Sequence, residues 1–316
     1  MTHTILVVPT GHGVGLTATS LGLVRALDRL GMPVGFAKPI AQPGQEGPER
    51  STALIRLVTR LDPPEPIAAA QAEALLSVGA IDSLMEQVVA LTTPLVTGKG
   101  VLIIEGLVPG PGQLYSGRVN LALAKALDAS VILVGAPAEG GESLEELAEA
   151  MAIAASTYRA GEEIRVIGSI VNRVPMESLD QAAAVLARHG LHCVGAVPIT
   201  PEIARLRVLD LARALGATAL NEGEWATRRI HDVSVCAQSV PGVLSALAEG
   251  RLVVTPGDRL DVIMATCLTA LGGVRLAALL LTAGIRPDPA LWELTAAARA
   301  TGLPILLVDE PTYETA

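Results

Sequence analysis

The chain has 316 residues, a formal net charge of −9 and a sequence pI near 5.1; half of it is hydrophobic, yet only 2% is aromatic. The acidic balance argues against a general nucleic-acid surface, and no apolar run approaches the roughly 18 residues of a membrane span. No basic segment precedes an apolar one at the N-terminus, which excludes a secretory signal there. Cys193, Cys236 and Cys267 are too few and too widely spaced for a disulfide framework or zinc site, and suggest a reducing, cytoplasmic compartment.

The length predicts two domains. Ile5–Val8 reads as a buried strand, followed by the Gly-rich turn Thr10-Gly-His-Gly-Val-Gly15-Leu-Thr17 and a helix over Thr17–Leu30. This has the build of a phosphate-binding loop, in which backbone N–H groups cradle phosphates, a Lys neutralises them and a Ser/Thr hydroxyl meets Mg²⁺. Here Gly15 and Thr17 hold their places, Thr10 stands at the first Gly position, and Leu16 replaces the Lys. Without that cation a nucleotide is expected to bind weakly or transfer phosphate poorly. Thr10, Gly11, Gly13, Gly15 and Thr17 are the candidate phosphate-binding residues. His12, inside the turn, reads as a solvated loop histidine or an anion contact.

Further strands are expected at Val34–Ala37, Val101–Ile104, Val131–Val134, Val166–Val171 and Cys193–Val197, with helical patterns filling most of the gaps, notably Ser83–Leu91, Leu144–Tyr158 and Gln181–Ala187. Such alternation predicts an α/β fold with a doubly wound parallel sheet. Pro43–Pro48, Asp62–Pro66 and Pro109–Gly112 read as loops. Lys38, one of only three lysines, ends the second strand, where a doubly wound sheet would bring it to the crevice of the Gly15 turn. Its alternative is a solvated strand end. Glu105, ending the third strand, is a candidate Mg²⁺ ligand opposite Thr17, or a loop cap. Asn172 ends the fifth and reads as an adenine contact or a turn residue.

Beyond Asn221–Glu224 the pattern restarts: strand Asp232–Cys236, helix Pro241–Leu247, strand Leu252–Thr255, helix Leu260–Ala270, strand Ala277–Leu281, helix Pro289–Ala298, strand Ile305–Val308. The expected domains are therefore 1–220 and 221–316, with the boundary between residues 215 and 232. Asp258 is suited to cap the helix that follows it, leaving Arg259 for a carboxylate or an anion. Arg228-Arg229 reads as a polar linker, or as an interface or effector contact.

Pro9–Thr17, Phe36–Pro43, Val101–Pro109, Gly195–Pro198, Asn221–Gly223, Thr227–Arg229 and Leu252–Arg259, in this order, resemble the N-terminal part of long-form phosphate acetyltransferases. The resemblance implies a degenerate P-loop domain like dethiobiotin synthetase, followed by a DRTGG-type domain whose name motif survives only as Asp258-Arg259. It places Mg²⁺ at Thr17 and Glu105 and matches Lys38 to that fold's second-strand lysine. It further implies a regulatory and assembly part, without the C-terminal domain that converts acetyl-CoA and phosphate to acetyl phosphate and CoA. That catalytic domain would be a partner in cis or in trans, the chain would form homo-oligomers, and metabolites such as NADH, ATP, pyruvate or phosphoenolpyruvate would be effectors. No cofactor is required; a weakly held nucleotide with Mg²⁺ is the expectation. The alternatives are an ATP-dependent ligase or kinase like dethiobiotin synthetase, or a free-standing regulatory subunit, and Leu16 is the residue that weighs against an enzyme.

Overall fold

The computed structural model describes residues 2–44, 47–110, 115–138, 141–160, 164–236, 238 and 240–315. It divides into two compact units, Met1–Ile199 and Thr200–Ala316.

The first unit is built on six strands: β1 (His3–Pro9), β2 (Val34–Ala37), β3 (Val101–Glu105), β4 (Ser130–Gly135), β5 (Val166–Val174) and β6 (Cys193–Pro198). All pairs are parallel, in the order β2-β3-β1-β4-β5-β6. The central strands carry apolar runs, Ile5–Val8 on β1, Val101–Ile104 on β3 and Val131–Val134 on β4, because both faces are covered there. On β1, Leu6 and Val8 enter one core layer and Val7 the other. Helices α1 (Leu16–Arg29) and α2 (Arg50–Val58) pack on the Val7 face through Val24 and Ile55. On the Leu6 face lie α3 (Ala69–Ser77), α4 (Ile81–Thr92), α5 (Ser116–Ala126), α6 (Leu144–Arg159) and α7 (Leu179–Arg188). A capping box between Ser143 and Glu146 starts α6, satisfying two otherwise orphaned N–H groups.

Three of these helices, α2, α3 and α5, lie in gaps between strands where the sequence does not place a particular helix. α2 and α3 have nine residues each, and the breaks around all three (Pro48, Pro66, the Gly-Pro run at 109–112) dominate the local signal. The expected loops Pro43–Pro48 and Pro109–Gly112 include residues 45–46 and 111–112, which lie outside the described residues.

The second unit holds β7 (Thr218–Asn221), β8 (Asp232–Val235), β9 (Arg251–Pro256), β10 (Ala278–Thr282) and β11 (Ile305–Leu307), ordered β7-β11-β10-β9-β8. All neighbours are parallel except β7, which runs antiparallel to β11. This moves the division of the chain. The expected boundary at 220/221 would cut through β7, which pairs with β11, and it would cut away the helix Val208–Ala214, whose Val208 and Ala212 are core residues beside Leu252 and Leu280. The change of unit therefore falls at 199/200. The expected helix Pro289–Ala298 is two pieces, Pro289–Leu294 and Ala296–Arg299. The residue before the helix Leu260–Leu271 is Arg259, and no side chain caps it, so Asp258 does not serve as the expected cap.

Candidate functional site

The carboxyl ends of β1, β2 and β3 converge on one cavity of about 600 Å³, at the place where a doubly wound sheet holds its ligands. The turn after β1 forms its floor. Gly13 and Gly15 have φ of 66° and 77°, a conformation costly for any side chain, and Gly15 is the residue before α1. No side chain caps that helix start. Its first N–H groups have no intrahelical acceptor and, with the helix dipole, make an anion-binding end.

The missing lysine has a structural counterpart. Leu16 is 3% exposed and packs with Val7, Val14, Val24, Phe36 and Ile55. The position that would carry a phosphate-neutralising ammonium serves the core instead.

Thr10 and Asn172 act on the turn itself. Thr10 N and Oγ1 both donate to Val134 O, at 2.9 and 3.2 Å, which ties the turn's start to β4. Asn172 Nδ2 donates to Val14 O at 3.1 Å, and a Cβ on Gly15 would stand 2.2 Å from that nitrogen. Asn172 Oδ1 accepts from Arg173 N at 2.9 Å, and Arg173 holds a left-handed φ of 55°. The cavity wall begins at His12 and includes neither Thr10, Gly11 nor Asn172. His12 Nδ1 lies 3.2 Å from Pro109 O across the mouth.

Glu105 is the centre of the polar cluster. Its Oε1 accepts from Ser51 Oγ at 2.7 Å, Thr17 Oγ1 at 3.2 Å and Lys38 Nζ at 3.2 Å. Thr17 and Ser51 are 2.9 Å apart, and Lys38 also donates to Gly106 O at 2.9 Å. Lys38 and Glu105 are each 2% exposed, so the ion pair is buried. Gly106 lets this corner close: a Cβ there would meet Asn120 Oδ1 at 2.7 Å, and Asn120 pairs reciprocally with the Leu107 backbone.

The donor set fits a hard divalent cation. The oxygens of Thr17, Ser51 and Glu105 lie 2.9, 3.2 and 2.7 Å from one another, so that one small hard cation could be held by all three. Glu105 Oε2 is buried with no hydrogen-bond partner. Yet the set offers one carboxylate only, and Lys38 already balances its charge. Among the described residues no group of three His, Cys, Asp or Glu side chains gathers to hold a metal.

Gly13, Gly15, Thr17, Lys38 and Glu105 line one cavity, together with residues that the sequence does not single out, among them Glu49, Arg50, Ser51 and Gln42. Ser51 stands in the first turn of α2, whose start Glu49 caps by accepting from Thr52 N at 2.7 Å. Hydroxyls at Ser51-Thr52, just after Pro48 and ahead of Leu54 and Ile55, were the available signal for a helix start. Gln42 exchanges two hydrogen bonds with the Val108 backbone, at 2.9 and 3.0 Å, joining the loops after β2 and β3. Nothing in its local sequence marks it.

In the second unit, Arg228 is 6% exposed; it donates to Glu224 Oε2, Leu276 O and Thr301 O, so it pins three segments and is no linker residue. Arg259 makes a two-bond pair with Asp261, both at 2.9 Å.

A model described as "AAA domain" matches residues 3–207, and one described as "DRTGG domain" matches residues 210–316. The chain belongs to the AAA domain family. Phosphate acetyltransferase of Pseudomonas aeruginosa is 42% identical over 331 residues, covering 99% of this chain and 47% of the relative. That of Escherichia coli is 34% identical over 341 residues, covering 100% and 48%. The chain spans about half the length of the curated relatives it matches, and with its two domain types it is similar to the N-terminal part of the long form. Among solved structures, cobyrinic acid a,c-diamide synthase from Mycobacterium smegmatis with bound ADP and magnesium aligns at a TM-score of 0.40 and 18% identity, over 60% of this chain and 82% of that one. The CBS and DRTGG domains of the regulatory region of Clostridium perfringens pyrophosphatase, complexed with the activator diadenosine tetraphosphate, align at 0.29 and 18%, over 34% and 44%. No helix among the described residues of this AAA-family chain is long and apolar enough to cross a membrane.

Proposed function

We propose that this chain is the regulatory and assembly part of a cytoplasmic phosphate acetyltransferase, acting on a catalytic domain that converts acetyl-CoA and phosphate to acetyl phosphate and CoA. The observation that carries the reading is the similarity along 99% of this chain to only 47% of a named phosphate acetyltransferase. A homo-oligomer, and a catalytic domain in cis or in trans, follow as its partners.

The first-unit cavity is the effector-binding end of this reading. An anion would sit on the N–H groups from Gly13 to Thr17 and the dipole of α1 alone, because Lys38, the expected stand-in for the charge that Leu16 lacks, is already paired with Glu105. A nucleotide with Mg²⁺ would be held by Thr17 and Glu105, with Ser51 beside them, and weakly. Leu16 gives the phosphates no cation, and the Lys38–Glu105 pair lowers the site's pull on a second metal charge. Bound Mg²⁺ would supply charge neutralisation there. Thr17, Ser51 and Glu105 would orient it, and the apolar wall of Val14, Leu21 and Leu54 would limit water.

The test has three arms. The chain alone should show no phosphate-dependent turnover of acetyl-CoA above background. Joined to a phosphotransacetylase catalytic domain, it should change that domain's oligomeric state and its response to metabolites. Calorimetry should find Mg-ATP binding weak and hydrolysis negligible. Sub-micromolar affinity with steady ATP turnover would replace this reading with a ligase or kinase.

A further inference from the structure

The Arg228-Arg229 pair leads to a second concavity, wholly inside the second unit. It has a volume of about 250 Å³ and lies at the amino-terminal ends of β8, β9 and β10, where His231, Gly250 and Ala277 precede the strands. This is the end opposite the usual ligand crevice of such a sheet. Its wall carries three guanidinium groups, Arg228, Arg229 and Arg275, together with Glu202 and Glu249.

The charges on this wall do not cancel. Glu224 Oε2 accepts from Arg228 Nε at 3.1 Å and from Arg275 Nη2 at 2.9 Å, so one carboxylate serves two guanidinium groups. Arg229 Nη1 donates to main-chain oxygens, Arg205 O at 2.6 Å and Ile203 O at 3.4 Å, and no carboxylate pairs with it among the described residues. Glu202 is matched by Arg205. Glu249 is solvent-exposed and makes no ion pair among the described residues; with Arg205 counted beside Glu202, the guanidinium groups here still outnumber the carboxylates. In a chain of net charge −9, a concavity with surplus guanidinium charge stands apart.

We propose that this concavity binds a compact oxyanion, a phosphoryl or carboxylate group of a small metabolite, between Arg229 and Arg275. Guanidinium forks match such oxygens with paired, charge-assisted hydrogen bonds. The anion would take the charge that Glu224 leaves over. The volume lies below the roughly 300 Å³ at which pockets for drug-sized ligands begin, which favours a phosphate or a short-chain acid over a nucleotide. Arg228 holds the wall in place from behind, its charge fixed by Glu224 and two carbonyls. Gly250 keeps the wall open to His231: a Cβ there would lie 2.3 Å from the imidazole ring. The inference stands apart from the reading of the first-unit cavity, since every residue it uses belongs to Thr200–Ala316.

Calorimetric titration of the whole chain with inorganic phosphate, and separately with malonate, tests it. At least one of the two should bind in the millimolar range or tighter, and the arm that binds identifies the group as phosphoryl or carboxylate. Arg229→Gln and Arg275→Gln should each weaken that binding about tenfold or more, while Lys125→Gln leaves it unchanged. Arg275 is 59% exposed on its side chain, so Arg275→Gln keeps the fold and carries the result if Arg229→Gln lowers the melting temperature. Tryptophan fluorescence localises the event, because both tryptophans, Trp225 and Trp292, lie in the second unit. Failure of both anions to bind, or wild-type affinity in Arg275→Gln, overturns the proposal.

Discussion

Lys38 and Leu16 decide how the first-unit cavity behaves, and both are buried where their sequence neighbours suggest exposure. Lys38 follows a short strand and precedes a proline, yet its ammonium is held by Glu105 and Gly106 O. Removing one member of a buried pair leaves a charge without a partner, a loss of about 3–5 kcal/mol. Lys38→Met should lower the urea midpoint accordingly, and adding Glu105→Gln should recover part of the loss. Strictly additive losses in the double variant would mean that the two groups are not coupled. Gly15 is limiting in a different way. Its φ of 77° and the nearness of Asn172 Nδ2 leave no room for a methyl group, so Gly15→Ala should cost about 1–3 kcal/mol. Asn172→Ala in the same chain should return only the steric share, read as a partial rise in melting temperature. Leu16 needed no structure to be noticed, because a motif position held the wrong residue. Its burial needed the fold, since a helix start next to a Gly turn is as often wet as dry.

At the scale of elements, the strands other than β7 were legible and the short helices were not. β1, β3 and β4 are apolar runs because two helical layers cover them, and such runs need no partner to be recognised. α2 places Ser51 on Glu105, but nine residues bracketed by Pro48 and Pro63 carry too little periodicity to outweigh the breaks. β7 is four residues long and joins its sheet antiparallel, so alternation of strand and helix does not announce it. Arg228 shows the energetic side of this. It binds the segment after β7 to Leu276 O and Thr301 O, ahead of β10 and β11. Arg228→Met should free those carbonyls and Glu224, costing about 3–5 kcal/mol and lowering the stability of the second unit, as followed by tryptophan fluorescence. A melting curve unchanged from wild type would remove Arg228 from that role. Burial also raises the Tyr158 phenol on α6 above its ordinary range and pushes the Cys267 thiol up to about 11. Both groups keep their proton in the folded chain after the unfolded chain has released it. Stability is therefore full below the unfolded values, about 8.5 for a thiol and about 10 for a phenol, and falls as pH rises through them. Thermal melts from pH 8 to 11 should show this decline, and Tyr158→Phe should flatten its upper part.

For the whole molecule, the division of the chain is the feature that limited proteolysis reads. β7 is paired to β11, and the helix before it fills a core, so residues 208–221 are protected by the second unit. Ile203 and Leu206 are exposed in the stretch that precedes them. First cleavage should fall between Ile199 and Arg207 and not between 215 and 232; early cutting within Thr218–Asn221 would restore the later boundary. The sequence alone determined the class of fold, because aliphatic runs separated by helix-length segments can be covered only as parallel strands under helices. It also determined that the Gly-rich turn lacks its lysine, since that is a matter of residue identity. Only the tertiary structure decided that Lys38 is spent on Glu105, that Ser51 joins them from a distant helix, and that three arginine side chains meet at one end of the second sheet. Those depend on contacts between segments tens of residues apart, and hydrophobic periodicity, a local quantity, carries no record of them.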